Sequence, residues 1–501
     1  MLDRSHQNSI STLQNISTDS SPLAKNSSTI FTPTLQTTWL DKISAFYSKN
    51  NLENNIYDSV TNLPRYVRVV SFPCKFLSTG PLTRPLTLSA TCCKNKKLQD
   101  ELLHLAALLE KELDCSVTPS KIILGLLRIS NGSAKIKNTT PYRSGQIIGI
   151  DLSSAITALS LQICPNDHIL DLCCAPGGKL LLASDILAGF GVPSINSYGS
   201  ITGVDISSHR LSTCKNLIKK SNSLGKIRIR LFLEDGTKFN TMPPDDQWWD
   251  YTYHKNANKK RKRSDPSLTP HVTSKLNSVP LCKMPWYSSK LLRLPCLLTS
   301  KHKSLVLLKK TPLYDKVLVD AECTHDGSLV HLTKYISNST NAKLDNDFLS
   351  DHRADSVANL QFNLLLNGWN SLKPDGILIY STCSLSYKQN EEVIARFLSY
   401  MNSKNSNLIR KFYQATSYNT KKISENHIFS IEYPTIEPLD QIENFSKDLL
   451  AVSPLQLEHI NFALLNVTNS DLASLRKCIR LDPRVSDTSG MFISKIRKNV
   501  F

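Results

Sequence analysis

Two cysteines occupy positions where a thiol can act as a nucleophile. Cys323 comes shortly after the apolar run 316–319, and Cys383 comes shortly after the apolar run 376–380. Runs of this length and composition are typical of buried strands, so both thiols are predicted at strand ends. A thiolate can add to carbon 6 of cytosine and make carbon 5 able to accept a methyl group. A single cysteine in such a turn is usually just a small buried residue, but two at neighbouring strand ends favour chemistry.

A third apolar run, 169–172, leads into a glycine-rich turn with the sequence Cys173-Cys174-Ala175-Pro176-Gly177-Gly178-Lys179. Glycines let a ligand approach the backbone, and the amides at the following helix N-terminus can bind a carboxylate. The turn is neither the G-x-G-x-x-G dinucleotide motif nor a P-loop. By itself it is equally compatible with a tight strand–helix connection.

Two acidic residues that follow the next two strands indicate which ligand the turn binds. Asp205 ends the strand-like run 200–204, where a carboxylate can accept from ribose hydroxyls, and Asp235 follows the run 227–233, where it can accept from an adenine amino group. This ordered set favours S-adenosylmethionine over NAD, whose enzymes normally carry the dinucleotide motif. The predicted cofactor-binding residues are Cys173, Ala175, Pro176, Gly177, Gly178, Lys179, Asp205, Arg210, Asp235, Gly236 and Asp320.

Strand-like and helix-like runs alternate from about residue 145 onward, which predicts parallel βαβ units. The fold class is therefore α/β, with a mostly parallel sheet and helices on both faces. Ligands bind at the carboxyl edge of such sheets, the edge at which both thiols and the glycine-rich turn are expected. Residues 402–480 show no such pattern and are expected to be irregular, whereas the run 491–496 is predicted as a last strand.

The chain is predicted to comprise three parts. Residues 1–37 are rich in Ser, Thr and Asn and are expected to be disordered. Residues 38–140 are predicted to form a small α+β module, and residues 141–501 the larger α/β domain. Residues 240–312 interrupt the alternation and are interpreted as an insertion, because connections in α/β units usually take about 2–6 residues.

Composition excludes several classes of protein. The net charge of +18 and the pI near 9.3 favour a polyanionic partner such as nucleic acid. Thirteen cysteines without a regular framework argue against a disulfide-stapled secreted protein. The sequence has no Cys-x-x-Cys pair, so no metal site is predicted. It also has no apolar run of about 20 residues, so no membrane span is predicted.

With these motifs the chain resembles the RsmB/Nop/Sun family of RNA cytosine-5 methyltransferases. The resemblance covers roughly residues 60–498 and excludes the insertion and residues 402–480. The most specific match is Lys373-Pro374-Asp375-Gly376 followed by Tyr380-Ser381-Thr382-Cys383-Ser384 and Asn390-Glu391-Glu392. The other matching motifs are Asp171-Leu172-Cys173-Cys174-Ala175-Pro176-Gly177-Gly178-Lys179, Val204-Asp205, Asp235-Gly236, Asp320-Ala321-Glu322-Cys323 and Thr488-Ser489-Gly490-Met491-Phe492.

The resemblance implies a Rossmann-like class I methyltransferase domain preceded by an RNA-recognition-like module. It implies that Cys383 attacks cytosine carbon 6, that Cys323 assists breakdown of the covalent adduct, and that Asp320 orients the flipped base. Lys179 would lie near the methionine end of S-adenosylmethionine and the target base. The expected partner is tRNA or rRNA, and the protein is expected to act as a monomer without a membrane or a metal.

One departure from the family pattern concerns Glu322, because the family usually has proline before the second cysteine. A carboxylate beside Cys323 is expected to disfavour its thiolate, which would affect product release more than attack. The alternative from another class is a non-catalytic RNA-binding or ribosome-assembly factor that retains the fold. DNA cytosine methyltransferases have similar chemistry, but their nucleophile lies in a Pro-Cys run on the earlier strand.

A basic run at residues 259–263, inside the predicted insertion, bears on localisation. Such a run is typical of a nuclear import signal or a nucleic-acid patch, and equally of a solvated loop. Nuclear or nucleolar localisation is predicted, with cytoplasmic or mitochondrial localisation as the alternative.

Overall fold

We describe the protein from a computed structural model. The described residues are 33–50, 52–53, 56, 63–70, 96–120, 123–189, 199–220, 228–244, 285–289, 313–328, 331–332, 349–415, 429–432, 455, 457–465, 467–484 and 486–499. Most of the predicted N-terminal tail, the basic run 259–263 and most of the predicted insertion lie outside them. None of the helices in these ranges is long and apolar enough to span a bilayer.

The N-terminal part contains helix α1 (Pro33–Lys49) and a four-stranded antiparallel sheet. Its strands are β1 (Arg65–Val69), β2 (Val117–Pro119), β3 (Leu126–Ile129) and β4 (Ile147–Gly149), in the order β2-β3-β1-β4. Helix α2 (Lys96–Leu113) covers one face, and a short helix α3 (Thr140–Arg143) precedes β4. Because β4 pairs with β1, this sheet extends past the domain boundary predicted at residue 140.

Side chains of β1 alternate between two cores, as the two-residue period of a strand requires. Val67 and Val69 pack with α2, whereas Tyr66 joins the core of the larger domain. Arg68 lies in this second interface, where it is 3% exposed and forms an ion pair with Asp185. The small sheet is therefore fixed against the larger domain by apolar contacts and by a buried charge pair.

The larger domain has nine described strands. After helix α4 (Leu152–Leu159) the elements are β5 (His168–Asp171), α5 (Gly178–Gly189), β6 (Ser200–Asp205), α6 (Ser208–Lys220), β7 (Arg228–Leu233), β8 (Tyr287–Ser288), β9 (Tyr314–Asp320), α7 (Asp351–Ser371), β10 (Leu372–Thr382), α8 (Glu391–Ala415), β11 (Phe429–Glu432), α9 (Asn469–Leu475), β12 (Ile479–Leu481) and β13 (Met491–Lys498). The strand order is β11-β13-β10-β9-β5-β6-β7-β8, and β12 also pairs with β13.

Strands β10, β9, β5, β6 and β7 are parallel, and β13 closes this group antiparallel to β10. Helices α5 and α6 pack on one face and α7 and α8 on the other. Consecutive residues of β5 lie on opposite faces of the sheet: Ile169 belongs to the apolar core with α5 and α6, and Leu170 to the core with α7 and α8. The predicted α/β class with a mostly parallel sheet and helices on both faces is confirmed.

The chain reverses direction across the sheet at β5. From β5 it proceeds to β6 and β7 on one side, and then returns to place β9 on the other side. Ligands of open α/β sheets bind outside the carboxyl ends of the strands at such a switch point. The strand ends at Asp171, Asp205, Asp320 and Thr382 therefore enclose the expected site.

The region 402–480 is more regular than expected. Helix α8 continues to Ala415, and both β11 and β12 pair antiparallel with β13. These strands have four and three residues, too few for alternation to be recognised in a sequence. The expectation of an irregular region was wrong for these segments, because pairing with the distant β13 creates the strands.

Helix α1 contributes to the larger domain instead of the small sheet. Ile43, Phe46 and Tyr47 form a cluster with Leu332 and Leu385, which lie in the loops after β9 and β10. The first helix of the predicted N-terminal module thus packs behind the loops that carry the two predicted catalytic cysteines.

Candidate active site

The two predicted catalytic cysteines meet at the carboxyl edge of the sheet. Strands β9 and β10 are parallel with Asp320 opposite Ser381, so the residues that follow them enter the same region. The Sγ atoms of Cys323 and Cys383 lie 3.3 Å apart, within hydrogen-bonding distance for sulfur. Cys323 is 1% exposed, whereas Cys383 is partly exposed and therefore more accessible to a substrate.

Hydrogen bonds between the two loops hold this geometry. The amide of Gly327 donates to the carbonyl of Cys383 at 3.0 Å, and the amide of Leu385 donates to Oδ2 of Asp326 at 2.7 Å. The side chain of Gln389 accepts from the amide of Thr324 at 3.0 Å and donates to its hydroxyl at 2.8 Å. Because these partners are buried, the thiols are held near each other by paired polar groups.

A buried ion pair anchors the loop that follows Cys383. Arg480, from β12, donates three hydrogen bonds of 3.1, 2.7 and 2.6 Å to the carboxylate of Glu391, the first residue of α8. Their side chains are 2% and 0% exposed, and Arg480 also donates to the carbonyl of Leu385. The sequence analysis matched Glu391 within the motif Asn390-Glu391-Glu392 but assigned neither residue a role in the site, and 89 positions separate them.

The remaining predicted catalytic residues, Lys179 and Asp320, form an ion pair beside the thiols. Nζ of Lys179 donates to Oδ2 of Asp320 at 2.7 Å, and the hydroxyl of Ser381 donates to Oδ1 at 2.8 Å. Burial alone would lower the pKa of Lys179, but the negative charge of Asp320 raises it, so the amine stays protonated. The structure thus brings all four predicted catalytic side chains to one place.

His325, which the sequence analysis did not identify, completes the thiol site. Its Nδ1 lies 2.9 Å from Sγ of Cys383 and 3.5 Å from Sγ of Cys323. The backbone of His325 has φ +53°, in the left-handed region that few residues other than glycine adopt. Its position two residues after Cys323 was a signal in the sequence, but the orientation of the ring depends on this turn.

The two thiols ionise as a pair. Burial opposes ionisation of Cys323, but the hydrogen bond with Cys383 and the nearby His325 together lower its pKa to about 6. The hydrogen bond with Cys323, burial and the charge of Cys323 raise the pKa of Cys383 well above its ordinary value. At neutral pH the pair therefore carries one negative charge, with a proton on Cys383 that hydrogen-bonds within the cluster.

Glu322 precedes Cys323 in the chain and forms an ion pair with a residue of α7. Its side chain is 45% exposed and points to Arg353 on α7, with Oε1 and Nη2 3.2 Å apart. Its carbonyl accepts from Gln361 at 2.7 Å. The pKa of Cys323 is lowered overall with this carboxylate in place, so Glu322 does not prevent the thiolate from forming.

The sulfur and nitrogen atoms of Cys323, His325 and Cys383 all lie within 4.8 Å of one another. These atom types can also hold a soft metal ion. We interpret the group as a proton-sharing cluster, because each atom is within hydrogen-bonding distance of the other two.

The predicted cofactor turn joins β5 to α5. Gly177 has φ +107°, and a Cβ atom there would approach Sγ of Cys214 to 2.7 Å, so glycine is required. At Gly178 a Cβ would meet no heavy atom within 4 Å, which leaves open space at the N-terminus of α5. An open glycine backbone at a helix N-terminus suits the carboxylate of a bound ligand.

Asp205 and Arg210 lie beside this turn. Asp205 accepts from the amides of Ala175 and Ser207 at 3.2 and 2.9 Å, and Arg210 donates to the carbonyl of Ala175 at 2.5 Å. Oδ2 of Asp205 also lies 3.5 Å from Nη1 of Arg210, and the Asp205 side chain is 2% exposed. Asp205 therefore supports the turn, and its contact with a ribose hydroxyl stays a prediction.

Asp235 lies after β7, where it accepts from the amide and hydroxyl of Thr237 at 2.9 and 2.7 Å. Burial opposes these hydrogen bonds, but they lower the pKa of Asp235 overall. At Gly236 a Cβ would lie 2.7 Å from the carbonyl of Leu172. The predicted cofactor residues thus follow β5, β6, β7 and β9 along one edge; their binding role stays a prediction.

Asp171, at the end of β5, has an unusual environment that the sequence did not reveal. It is 3% exposed, and burial, followed by the charge of Asp320, raises its pKa to about 8. Burial and Asp171 also raise the pKa of the neighbouring thiol of Cys173 well above its ordinary value. A carboxyl that is mostly neutral at pH 7 therefore lies near the ion pair of Lys179 and Asp320.

Comparison with known proteins gives one family match. A profile of the family described as 16S rRNA methyltransferase RsmB/F matches residues 293–497. These residues include both predicted catalytic cysteines, Asp320 and His325.

Individual relatives cover different parts of the chain. The multisite-specific tRNA:(cytosine-C(5))-methyltransferase trm4b of Schizosaccharomyces pombe is 22% identical over 71% of this chain and 43% of its own length. The 5-cytosine rRNA methyltransferase NSUN4 of Bos taurus is 23% identical over 49% of this chain and 43% of its own length. Ribosomal RNA small subunit methyltransferase F of Psychromonas ingrahamii is 36% identical over 16% of this chain and 15% of its own length.

The chain therefore spans less than half the length of each of these curated relatives. Among solved structures, a methyltransferase homologue from Pyrococcus horikoshii is 17% identical, with a TM-score of 0.45, over 93% of this chain and all of that one.

Proposed function

From the premise that this chain belongs to the RsmB/Nop/Sun family of RNA cytosine-5 methyltransferases, we propose that it methylates carbon 5 of cytosine in tRNA or rRNA. The proposed methyl donor is S-adenosylmethionine, and the proposed intermediate is a covalent adduct between cytosine and Cys383. The observation that carries the proposal is the pair of sulfurs 3.3 Å apart at the strand edge that also carries Lys179 and Asp320.

Cys383 is the proposed nucleophile because it is the more accessible of the two thiols. The target base must leave its stack to reach a thiol at a strand end, which is least costly in loops and single-stranded RNA. Asp320 is held by Lys179 and Ser381, and its remaining acceptor positions can bind the exocyclic amine of cytosine. This contact would place carbon 6 against Cys383.

Cys323 serves the second half of the reaction. With a pKa of about 6 it is a thiolate at neutral pH, and it lies beside the sulfur that must leave. We propose that it takes the carbon 5 proton as the bond between Cys383 and carbon 6 breaks. It then loses that proton to solvent, so one proton is released for each methyl group transferred.

The cofactor site supports the proposal through its shape and donors. The open backbone at Gly178 fits a carboxylate at the N-terminus of α5, and Asp205 and Asp235 offer carboxylate oxygens to hydroxyl and amino groups. When bound, S-adenosylmethionine supplies the methyl group as an electrophilic carbon. Lys179, which follows Gly178 in the chain, is hydrogen-bonded to Asp320, which shortly precedes Cys323. This pair therefore lies between the cofactor turn and the thiols.

The substrate class rests on charge and on the family. A net charge of +18 favours binding to phosphates, so affinity for RNA is expected to fall steeply with salt. We retain nuclear or nucleolar localisation as a proposal from residues 259–263. Deleting these residues from a tagged full-length protein should redistribute it to the cytoplasm, and an unchanged distribution would contradict the proposal.

The experiment that tests the function measures methyl transfer from labelled S-adenosylmethionine to total RNA, with DNA as a control substrate. Wild type is compared with Cys383→Ala and Cys323→Ala. We expect label in RNA cytosine with wild type, none with Cys383→Ala, and a protein–RNA adduct that persists under denaturing conditions with Cys323→Ala.

The non-catalytic alternative predicts a different outcome. A wild-type protein that binds RNA and S-adenosylmethionine but transfers no methyl group would contradict the proposed reaction. The feature that favoured this alternative was Glu322, and its carboxylate lies with Arg353 and not with the thiols.

A further inference from the structure

His325 is a titratable side chain in contact with both thiols, and the family's two-cysteine scheme gives it no role. Its Nδ1 lies 2.9 Å from Sγ of Cys383, a shorter distance than the 3.3 Å between the two sulfurs. The nearest atom that can take the proton of Cys383 is thus a ring nitrogen. This arrangement matches the general pattern of a nucleophile activated by an adjacent base.

The backbone holds the ring in place. Thr324 and Asp326, the neighbours of His325, are both 0% exposed. The side chain of Asp326 accepts from the amide of Leu385, and its carbonyl accepts from the hydroxyl of Tyr47 on α1. His325 itself keeps φ +53°, and a non-glycine residue in this region that is fixed on both sides is a strained feature of the kind that clusters at active sites.

Other titratable groups near the thiols already have partners. Lys179 and Asp320 bind each other, and Oδ1 of Asp320 accepts from Ser381. The ring of His331 lies 4.9 Å from that of His325, and its Nδ1 is within hydrogen-bonding distance, 2.9 Å, of the hydroxyl of Ser328. Within the described part of the chain, His325 is the imidazole that contacts the sulfurs.

Building on the proposed function, we propose that His325 is the catalytic base that activates Cys383. As the S–H bond breaks, Nδ1 takes the proton, and the sulfur electron pair forms the bond to carbon 6. The electron pair of the double bond between carbons 5 and 6 moves to carbon 5. That electron pair would then bond the methyl carbon, whose bond to the sulfonium sulfur of the donor would break. When Cys323 takes the carbon 5 proton, the electrons of the carbon 5–hydrogen bond restore the double bond between carbons 5 and 6. The electrons of the carbon 6–sulfur bond return to Cys383, and the imidazolium gives it back a proton.

The groups that face His325 determine the pH at which this transfer works. Burial lowers the pKa of His325, but the negative charges of Cys323, Asp326 and Glu322 raise it overall. The other groups in contact with the ring are Cys383 and the ring of His331. The negative charges stabilise the imidazolium that forms when sulfur attacks. Because Nδ1 can take the proton only from the neutral ring, the rate of attack by Cys383 should rise as the pH rises through the raised pKa of His325.

The test compares full-length wild type with His325→Gly, which suits the left-handed backbone and so should fold. Methyl transfer by His325→Gly should fall by about 10²–10⁴-fold, the usual contribution of a general base, with unchanged binding of RNA and S-adenosylmethionine. Added imidazole should restore part of the rate, because the glycine leaves the space of the ring empty. The matched control is His331→Gln, which alters the neighbouring imidazole without touching a sulfur and should retain most of the activity.

A second measurement does not require methyl transfer. Alkylation of Cys383 by iodoacetamide, followed by peptide mass spectrometry across pH with a chelator present, should show a slower reaction near neutral pH in His325→Gly, together with rescue by imidazole. Normal methyl transfer and normal alkylation in His325→Gly would overturn the role of His325 and leave the proposed function intact. Alkylation that depends on His325 in a wild-type protein without methyl transfer would support the role of His325 and contradict the proposed reaction.

Discussion

Replacing Cys383 with alanine should raise the pKa of Cys323. The pKa of Cys323 in the folded protein is about 6, against an ordinary value of 9.0. That difference corresponds to roughly 4 kcal/mol in favour of the thiolate, at about 1.4 kcal/mol per pKa unit. Among the interactions that oppose burial, the hydrogen bond with Cys383 is the largest, so its removal should have a clear effect.

The size of the effect follows from the strength of such a bond. A hydrogen bond to a charged group contributes about 1.5–3 kcal/mol, which equals about 1–2 pKa units. The midpoint for Cys323 in Cys383→Ala should therefore lie about 1–2 units above that of wild type. In Cys323→Ala the opposite change is expected at Cys383, whose pKa should fall because its hydrogen bond with Cys323 is the first of the causes that raise it.

The stability of the fold also depends on pH through the two thiols. A thiol whose pKa is lower in the folded than in the unfolded chain stabilises the fold only where it is ionised. The contribution of Cys323 is complete above about pH 9 and is lost as the pH falls through about 6. The raised pKa of Cys383 has the opposite sign and offsets this gain at still higher pH.

Thiolate absorbance in the ultraviolet measures these midpoints without requiring access to the buried sulfur. The double variant Cys323→Ala/Cys383→Ala provides the baseline, and a chelator keeps metal ions from the thiols. Wild type should gain one thiolate per chain with a midpoint near pH 6. A wild-type protein with no thiolate below pH 8, or identical midpoints in wild type and Cys383→Ala, would refute the argument from the 3.3 Å contact.

Three further predictions concern residues around the thiols. Asp171→Asn should stabilise the protein relative to wild type increasingly from about pH 4 to 8, because the raised pKa of Asp171 is a penalty that grows as the pH rises; a difference in melting temperature that is constant with pH would contradict this. Arg480→Leu leaves the carboxylate of Glu391 buried without its guanidinium and should cost about 3–5 kcal/mol, measured by thermal unfolding, with recovery in the double variant that also carries Glu391→Leu. Glu322→Gln should leave the thiolate midpoint unchanged and alter stability by less than about 1 kcal/mol, because the carboxylate forms an exposed pair with Arg353; a lowered midpoint would show that its charge does reach the thiol.

Much of the larger domain could be predicted from local patterns. The apolar runs before Asp171, Asp205, Asp320 and Cys383 correspond to buried parallel strands. Each such strand carries its apolar signal within a few residues, and parallel strands place their carboxyl ends at one edge. The meeting of Lys179, Asp320 and the two thiols therefore followed from strand order, and the structure adds the distances between them.

Other features depend on contacts between distant segments. Strands β11 and β12 exist because they pair with β13. Helix α1 packs on distant loops, where Tyr47 donates to the carbonyl of Asp326, 279 positions away. Short strands and a helix that packs far from its neighbours in the chain carry little local signal.

The sequence by itself determined which chemistry the edge of the sheet could support, because residue type and position after a strand fix which atoms are available there. Tertiary structure decided how those atoms ionise. The pKa of Cys323 and Cys383 depends on a 3.3 Å contact between two loops, and His325 joins them through a left-handed turn. Glu322 is adjacent to Cys323 in sequence but forms its ion pair with Arg353 on α7. Electrostatic effects depend on distance and burial in space, so proximity along the chain was a poor guide to them.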